Sequence, residues 1–112
     1  MRDQVLKGHL DTLLLAVLDD QPQHGYAVIH ALRAHSDGKI DLPTGTVYPA
    51  LQRLESQGLV RSGWSTGAGR RRRTYTLTAA GRSALSDQRS AWLDFSSAVT
   101  AILGGKPWPA AG

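Results

Sequence analysis

The stretch that decides the fold is TGTVYPALQRLESQGLVRSGWSTGAGRRRRTYTL, residues 44–77. Its first part predicts a helix that begins between Thr44 and Thr46 and ends near residue 57, with Gly58 as a left-handed C-terminal cap. A start at Thr44 would place Pro49 inside the helix and cost one backbone hydrogen bond. The apolar residues that share helical spacing, and are therefore expected to face inward, are Val47, Leu51 and Leu54.

Two short strands are predicted after this helix, over residues 59–65 and 72–77, because both segments are rich in Val, Trp, Thr and Tyr. They flank a glycine-rich loop at residues 66–70, so the pair is expected to form a hairpin. Alternation in the second strand places Tyr75 and Leu77 on the inward face. Trp64 is expected to anchor the hairpin to the core.

Two helices are predicted before this stretch. The first runs from about Asp3 to Asp20, and its second half is apolar in every direction. A helix that is apolar all round must be buried all round, so we expect one of its faces to need a second subunit. The second helix spans His24 to His35, with His24 at its start, and a turn at residues 37–38 follows it.

One long helix is predicted after the hairpin, from an N-cap at Thr78 to about Leu103. Its inward positions follow a seven-residue register: Leu85, Gln88, Trp92, Phe95, Val99 and Ile102. Residues 104–112 are expected to be a flexible tail. The stripe therefore has nothing downstream to pack against and is expected to need another helix.

Length and composition limit the class of protein. A chain of 112 residues is the size of one domain, and the absence of cysteine excludes a disulfide scaffold or a thiolate zinc site. No apolar run is long enough to cross a membrane, so we expect a soluble, cytoplasmic protein. The net charge is +4, and between Asp20 and Ser83 nine basic residues stand against four acidic ones. A basic middle with nearly neutral ends favours a surface that binds a polyanion.

The order of these elements is that of a winged helix-turn-helix, a mainly α fold with a small β-hairpin as the wing. We expect residues 1–83 to form the DNA-binding domain, including the first helix. Residues 84–103 would form a C-terminal dimerisation helix, and residues 104–112 the tail.

The sequence also resembles the PadR family of transcriptional regulators over roughly residues 8 to 83, in the short subclass with a single C-terminal helix. The motifs that carry the resemblance are His24-Gly25-Tyr26, Thr46-Val47-Tyr48-Pro49-Ala50-Leu51, Arg53-Leu54-Glu55, Gly58-Leu59-Val60, Arg71-Arg72-Arg73-Thr74-Tyr75 and Leu77-Thr78-Ala79-Ala80-Gly81. The resemblance implies a dimeric DNA-binding repressor of transcription, whose first and last helices form the dimer interface. The serine-rich residues 83–97 have no histidine partner, and residues 67–70 lack the Lys-Ser/Thr of a phosphate loop, so we expect no enzyme.

The candidate DNA-binding residues lie on the third helix and in the wing. Threonine and tyrosine hydroxyls near a helix start suit phosphate, whereas Gln and Arg can read base edges. An arginine run at the end of a glycine loop can reach the minor groove, although it could also be an ordinary solvated charge run, and Tyr48 could instead belong to the core. The candidates are Thr44, Thr46, Tyr48, Gln52, Arg53, Arg70, Arg71 and Arg72.

The long helix also suggests a ligand site. Trp92 with Phe95 is most simply dimer packing, but the resemblance implies that some family members bind planar aromatic compounds there. The four histidines lack the spacing of a metal site, so we expect no metal and no cofactor. Two alternatives stay open: a metal-responsive repressor of the same fold, and a winged helix that serves only protein–protein interaction.

Overall fold

A computed structural model describes Leu6, residues 8–67 and residues 69–104. The described chain is mainly helical with a small three-stranded antiparallel sheet, which confirms the predicted fold class. Its elements are α1 (Leu10–Asp20), β1 (Gln23–His24), α2 (Gly25–His35), α3 (Thr44–Ser56), β2 (Val60–Gly67), β3 (Arg70–Leu77) and α4 (Ala79–Leu103). None of these helices combines the length and the apolar character needed to cross a membrane.

The first helix differs from the prediction in two ways. It begins at Leu10 because Gly8, just before it, adopts a left-handed φ of 88°, which interrupts a helix. Residues 1–5 and 7 lie outside the described part. Most apolar residues of its second half are buried within a single chain and need no second subunit: Leu14, Leu15, Val17 and Leu18. Leu13 and Ala16 are only half-buried, so contact of that face with a second subunit stays a prediction.

The helix-turn-helix pair is α2 and α3. His24 caps α2, since the backbone N–H of Ala27 donates to its Nδ1 at 3.2 Å. α3 begins at Thr44, which places Pro49 inside the helix and removes the donor for the carbonyl four residues earlier. That carbonyl belongs to exposed Gly45, where water can replace the missing bond. Gly58 ends the helix with the predicted left-handed φ, at 77°.

The sheet is larger than the predicted hairpin, and its strand order is β1-β3-β2. The two residues of β1 pair with Tyr75 and Thr74, a contact across fifty residues that no local pattern indicates. The five-residue loop was also wrong, because β2 and β3 pair as far as Gly67 and Arg70. Tyr75 faces the core as predicted, with 2% of its surface exposed.

α4 begins as predicted, with the Thr78 hydroxyl accepting from the Gly81 N–H at 3.0 Å. Gly81 allows the helix to approach the backbone just before β2, since a Cβ there would lie 2.0 Å from the Leu59 carbonyl oxygen. Leu85 is buried, but the large apolar residues further along are exposed: Trp92, Leu93, Phe95, Ile102 and Leu103. Gly104 ends the helix with a φ of 93°, and the rest of the predicted tail lies outside the described residues.

Candidate nucleic-acid interface

The side of α3 that faces away from the core is polar and exposed. Val47, Ala50, Leu51 and Leu54 are buried on one side. At 100° per residue the opposite side carries Gln52 and Ser56, both exposed. Thr44 and Thr46 are exposed in the first turn. A helix with this division can enter a groove of DNA along its polar side while its apolar side stays in the core.

Tyr48 occupies one flank of α3 and is half-buried. Its ring packs against the hydrophobic core and lies so close to Gly25 that a Cβ there would be 2.5 Å from the Tyr48 Cε1. The same tyrosine lines an open cavity beside the wing. Both predictions for Tyr48, core packing and a position on the candidate surface, therefore describe part of its environment.

Arg53 occupies the other flank of α3 and makes an ion pair with Asp11 of α1. Its side chain is still half exposed. Asp11 was not among the predicted residues, because the two are 42 positions apart in sequence. An exposed ion pair contributes at most about 1 kcal/mol, so a stronger acceptor can draw the guanidinium away.

The wing carries its arginines on two sides of β3, as strand alternation requires. The guanidinium groups of Arg71 and Arg73 lie 4.7 and 5.4 Å from the ring centre of Trp64, within the range of a cation–π interaction. Trp64 is 59% exposed, so its predicted role as an anchor to the core was wrong. It supports the arginine side chains instead. Arg70, at the end of the strand, is exposed.

A short hydrogen-bond chain ties this side of the wing to α3. The N–H and hydroxyl of Ser62 donate to Glu55 Oε2 at 3.1 and 2.6 Å. The Arg73 Nε–H then donates to the Ser62 hydroxyl oxygen at 2.9 Å. The wing is therefore held in a defined position relative to the helix.

Arg72 points the other way, toward His24. Its Nη1 lies 2.9 Å from His24 Nε2. Partial burial lowers the pKa of His24 below its ordinary value, and the positive charge of Arg72 and the nearby His30 lower it further. From the sequence, His24 was predicted at the start of α2 and not among the DNA-binding candidates. Its place in the His24-Gly25-Tyr26 motif was the signal that could have added it to them.

These elements border an open cavity of about 530 Å³ between the wing, α2 and α3. Its lining consists of His24, the first two residues of α2, Tyr48 and the four arginines 70–73. Four arginines and no acidic residue contribute to the lining, so the cavity has a positive potential that attracts anions. The structure thus brings together Tyr48 and all three predicted wing arginines, and adds His24.

The candidate ligand residues of α4 also lie close together. The rings of Trp92 and Phe95 are 6.2 Å apart, and 48% and 60% of these residues are exposed. The imidazole of His9 meets the Trp92 ring edge-on at 5.2 Å. Within the described residues, no group of three or more His, Cys, Asp or Glu side chains is placed to hold a metal ion.

Comparison with known proteins gives consistent matches. Residues 14–87 match the model of the transcriptional regulator PadR-like family. A transcriptional regulator of Mycobacterium tuberculosis is 38% identical over 87 residues, which cover 78% of this chain and 76% of that protein. A PadR family regulator from Eggerthella lenta superposes with a TM-score of 0.73 at 32% identity, covering 92% of this chain and 91% of the other. A PadR-like regulator from Bacillus cereus reaches a TM-score of 0.82 at 26% identity, with 93% and 100% covered.

Proposed function

The chain belongs to the PadR-like family of transcriptional regulators, DNA-binding proteins rather than enzymes, and on that premise we propose a specific mode of action. The protein is a cytoplasmic repressor that binds a palindromic operator as a homodimer. A small aromatic effector releases it from DNA.

The observation that carries the proposal is the shared surface of α3 and the wing. Tyr48 of α3 and the wing arginines line one cavity, so both elements face the same side of the molecule. A helix in the major groove and an arginine-rich wing in the adjacent minor groove fit this surface. Neither element is covered by another part of the described chain on this side.

The two elements have different tasks. The wing arginines, Arg70 to Arg72, supply charge to phosphates and the minor groove, which strengthens binding to any sequence. Gln52 and Arg53 carry groups that read base edges. Arg53 takes this role by exchanging its exposed partner Asp11 for a base acceptor. Thr44 and Thr46, at the start of α3, contact the phosphate backbone of the DNA.

The homodimer uses α4. Five large apolar residues of this helix are exposed in the single chain, and exposed apolar surface of this kind marks a site of interaction. A second copy of α4 is a self-complementary cover, and a two-fold dimer presents two α3 helices to a palindromic site.

The effector binds at Trp92 and Phe95. Their exposed, adjacent rings offer a stacking surface for a planar aromatic compound at the centre of the dimer. His9 of α1 contacts Trp92, so a ligand there can act on the helix that also holds Asp11.

The test is selection of duplexes from a random pool by the wild-type chain, followed by binding measurements at several salt concentrations. We expect an inverted repeat with half-site centres about 34–36 Å apart, or a multiple of this, and affinity that falls steeply with salt. No enrichment together with salt-independent, negligible binding would contradict the proposal and favour a protein-interaction module.

A further inference from the structure

The side chains of the wing that border the cavity are hydrogen-bond donors. β1 pairs with β3 only at Tyr75 and Thr74, so residues 70–73 have β2 on one side and the cavity on the other. An unpaired strand edge exposes backbone N–H and C=O groups. The side chains along this edge are all arginines, which only donate.

The contact between Arg72 and His24 within this cavity lacks an acceptor. His24 Nδ1 accepts the hydrogen bond from the Ala27 N–H that caps α2, so the ring hydrogen is on Nε2. The lowered pKa of His24 favours the neutral ring, with that one hydrogen. The two nitrogen atoms, Nε2 of His24 and Nη1 of Arg72, therefore lie 2.9 Å apart with a hydrogen on each, so two donors face each other.

The opposite tautomer moves this conflict without removing it. If Nε2 accepted from Arg72, the hydrogen would be on Nδ1 and would face the Ala27 N–H. A neutral imidazole has one lone pair, and two donors compete for it. An anionic oxygen placed beside Nε2 resolves the conflict, because it accepts from Nε2–H and from Arg72 together.

The position of the cavity identifies the anion. The cavity lies between Tyr48 of α3 and the wing. If α3 enters a major groove and the wing the adjacent minor groove, the strand of DNA backbone that separates the two grooves passes between them. This step rests on the proposed function.

We propose that this cavity binds one phosphodiester of the DNA backbone, whose oxygens accept hydrogen bonds from Arg72 Nη1 and His24 Nε2. His24 is then a DNA-contacting residue as well as a helix cap. The contact recognises no base, so it strengthens binding to the operator and to unrelated DNA by the same factor.

The experiment is a double-mutant cycle with His24→Asn and Arg72→Gln. Asparagine is a good N-cap, so His24→Asn keeps the cap of α2 and removes the Nε2 donor. We expect this variant to lose roughly three- to tenfold in affinity for operator and unrelated duplexes alike. In the Arg72→Gln background the same change should have much less effect, because the shared phosphate is already weakly held. His35→Asn, at the exposed end of α2, is the matched control and should leave binding unchanged.

Circular dichroism of each variant verifies that α2 remains folded. Additive losses in the cycle, or unchanged affinity of His24→Asn, would refute the phosphate site while leaving the proposed function intact. A wild-type chain that binds no duplex would instead refute the proposed function. A final arm follows the ring resonances of His24 by NMR with inorganic phosphate and then with duplex. If inorganic phosphate shifts them and duplex does not, the ligand is a free phosphorylated compound and the assignment to DNA is wrong.

Discussion

Replacing Arg71 and Arg72 together by alanine tests how the wing contributes to DNA binding. Both side chains are exposed, so the change removes charge without opening the core. Each phosphate that is no longer neutralised reduces the slope of log K against log salt by about 0.9, and two arginines in each of two wings give about 3.6 units. Over a fourfold change in salt, as from about 50 to about 200 mM, the affinity of the variant should therefore fall by a factor about 150 times smaller than that of the wild type.

The assay is fluorescence anisotropy with the selected operator and with a scrambled duplex of equal length. Both duplexes should lose affinity in parallel if, as proposed, the wing contacts the DNA backbone and the minor groove without reading individual bases. Arg61→Ala is the control, since this exposed arginine lies at the end of β2 remote from the wing tip. A variant that lost its preference for the operator but kept the wild-type salt slope would refute this division of tasks.

Three further predictions address base reading, packing and pH. Arg53→Ala should cost on the order of 1–3 kcal/mol on the operator and relax the preference at one base position per half-site, whereas equal weakening on every duplex would make it a phosphate contact. Gly81→Ala should lower the free energy of unfolding, measured in a urea titration, by roughly 1–3 kcal/mol, because the added Cβ would collide with the Leu59 carbonyl. Gly45 has open space around it, so Gly45→Ala is the control and should not destabilise the chain. Because the pKa of His24 is lowered in the folded chain, the unfolded chain binds more protons, and the free energy of unfolding should fall as pH drops below about 6.5. The His24→Asn variant should lack this part of the loss. A pH profile of stability identical to that of the wild type would contradict the prediction.

The elements with a clear local pattern could be predicted from the sequence. The start of α4 at Thr78 and the cap of α2 at His24 depend on residues within one turn, and both lie where expected. The inward face of β3 follows from alternation alone, and Tyr75 is buried there. The wing arginines were identifiable as candidates because four consecutive cations follow a glycine-rich stretch, although the same run could have been an ordinary solvated charge run.

The features that sequence reasoning missed depend on distant parts of the chain. β1 is two residues long and forms only because β3 is available to pair with it. The ion pair of Arg53 with Asp11 joins two helices, and neither residue shows a preference for the other in sequence. Trp64 is a large apolar residue of the kind expected to anchor a hairpin to the core. Its strand extends beyond the core, so its ring lies under two arginines instead. In each case tertiary context decided the environment of a residue whose local propensity was uninformative.

The most direct test of the central claim is the number of chains bound to one operator. Sedimentation equilibrium of the wild type on the selected duplex should give two chains per duplex. Trp92→Asp, which places a charge on the exposed face of α4, should give a folded monomer that binds the same duplex weakly. One wild-type chain on an asymmetric site, or a Trp92→Asp variant that still bound as a pair with full affinity, would contradict the account.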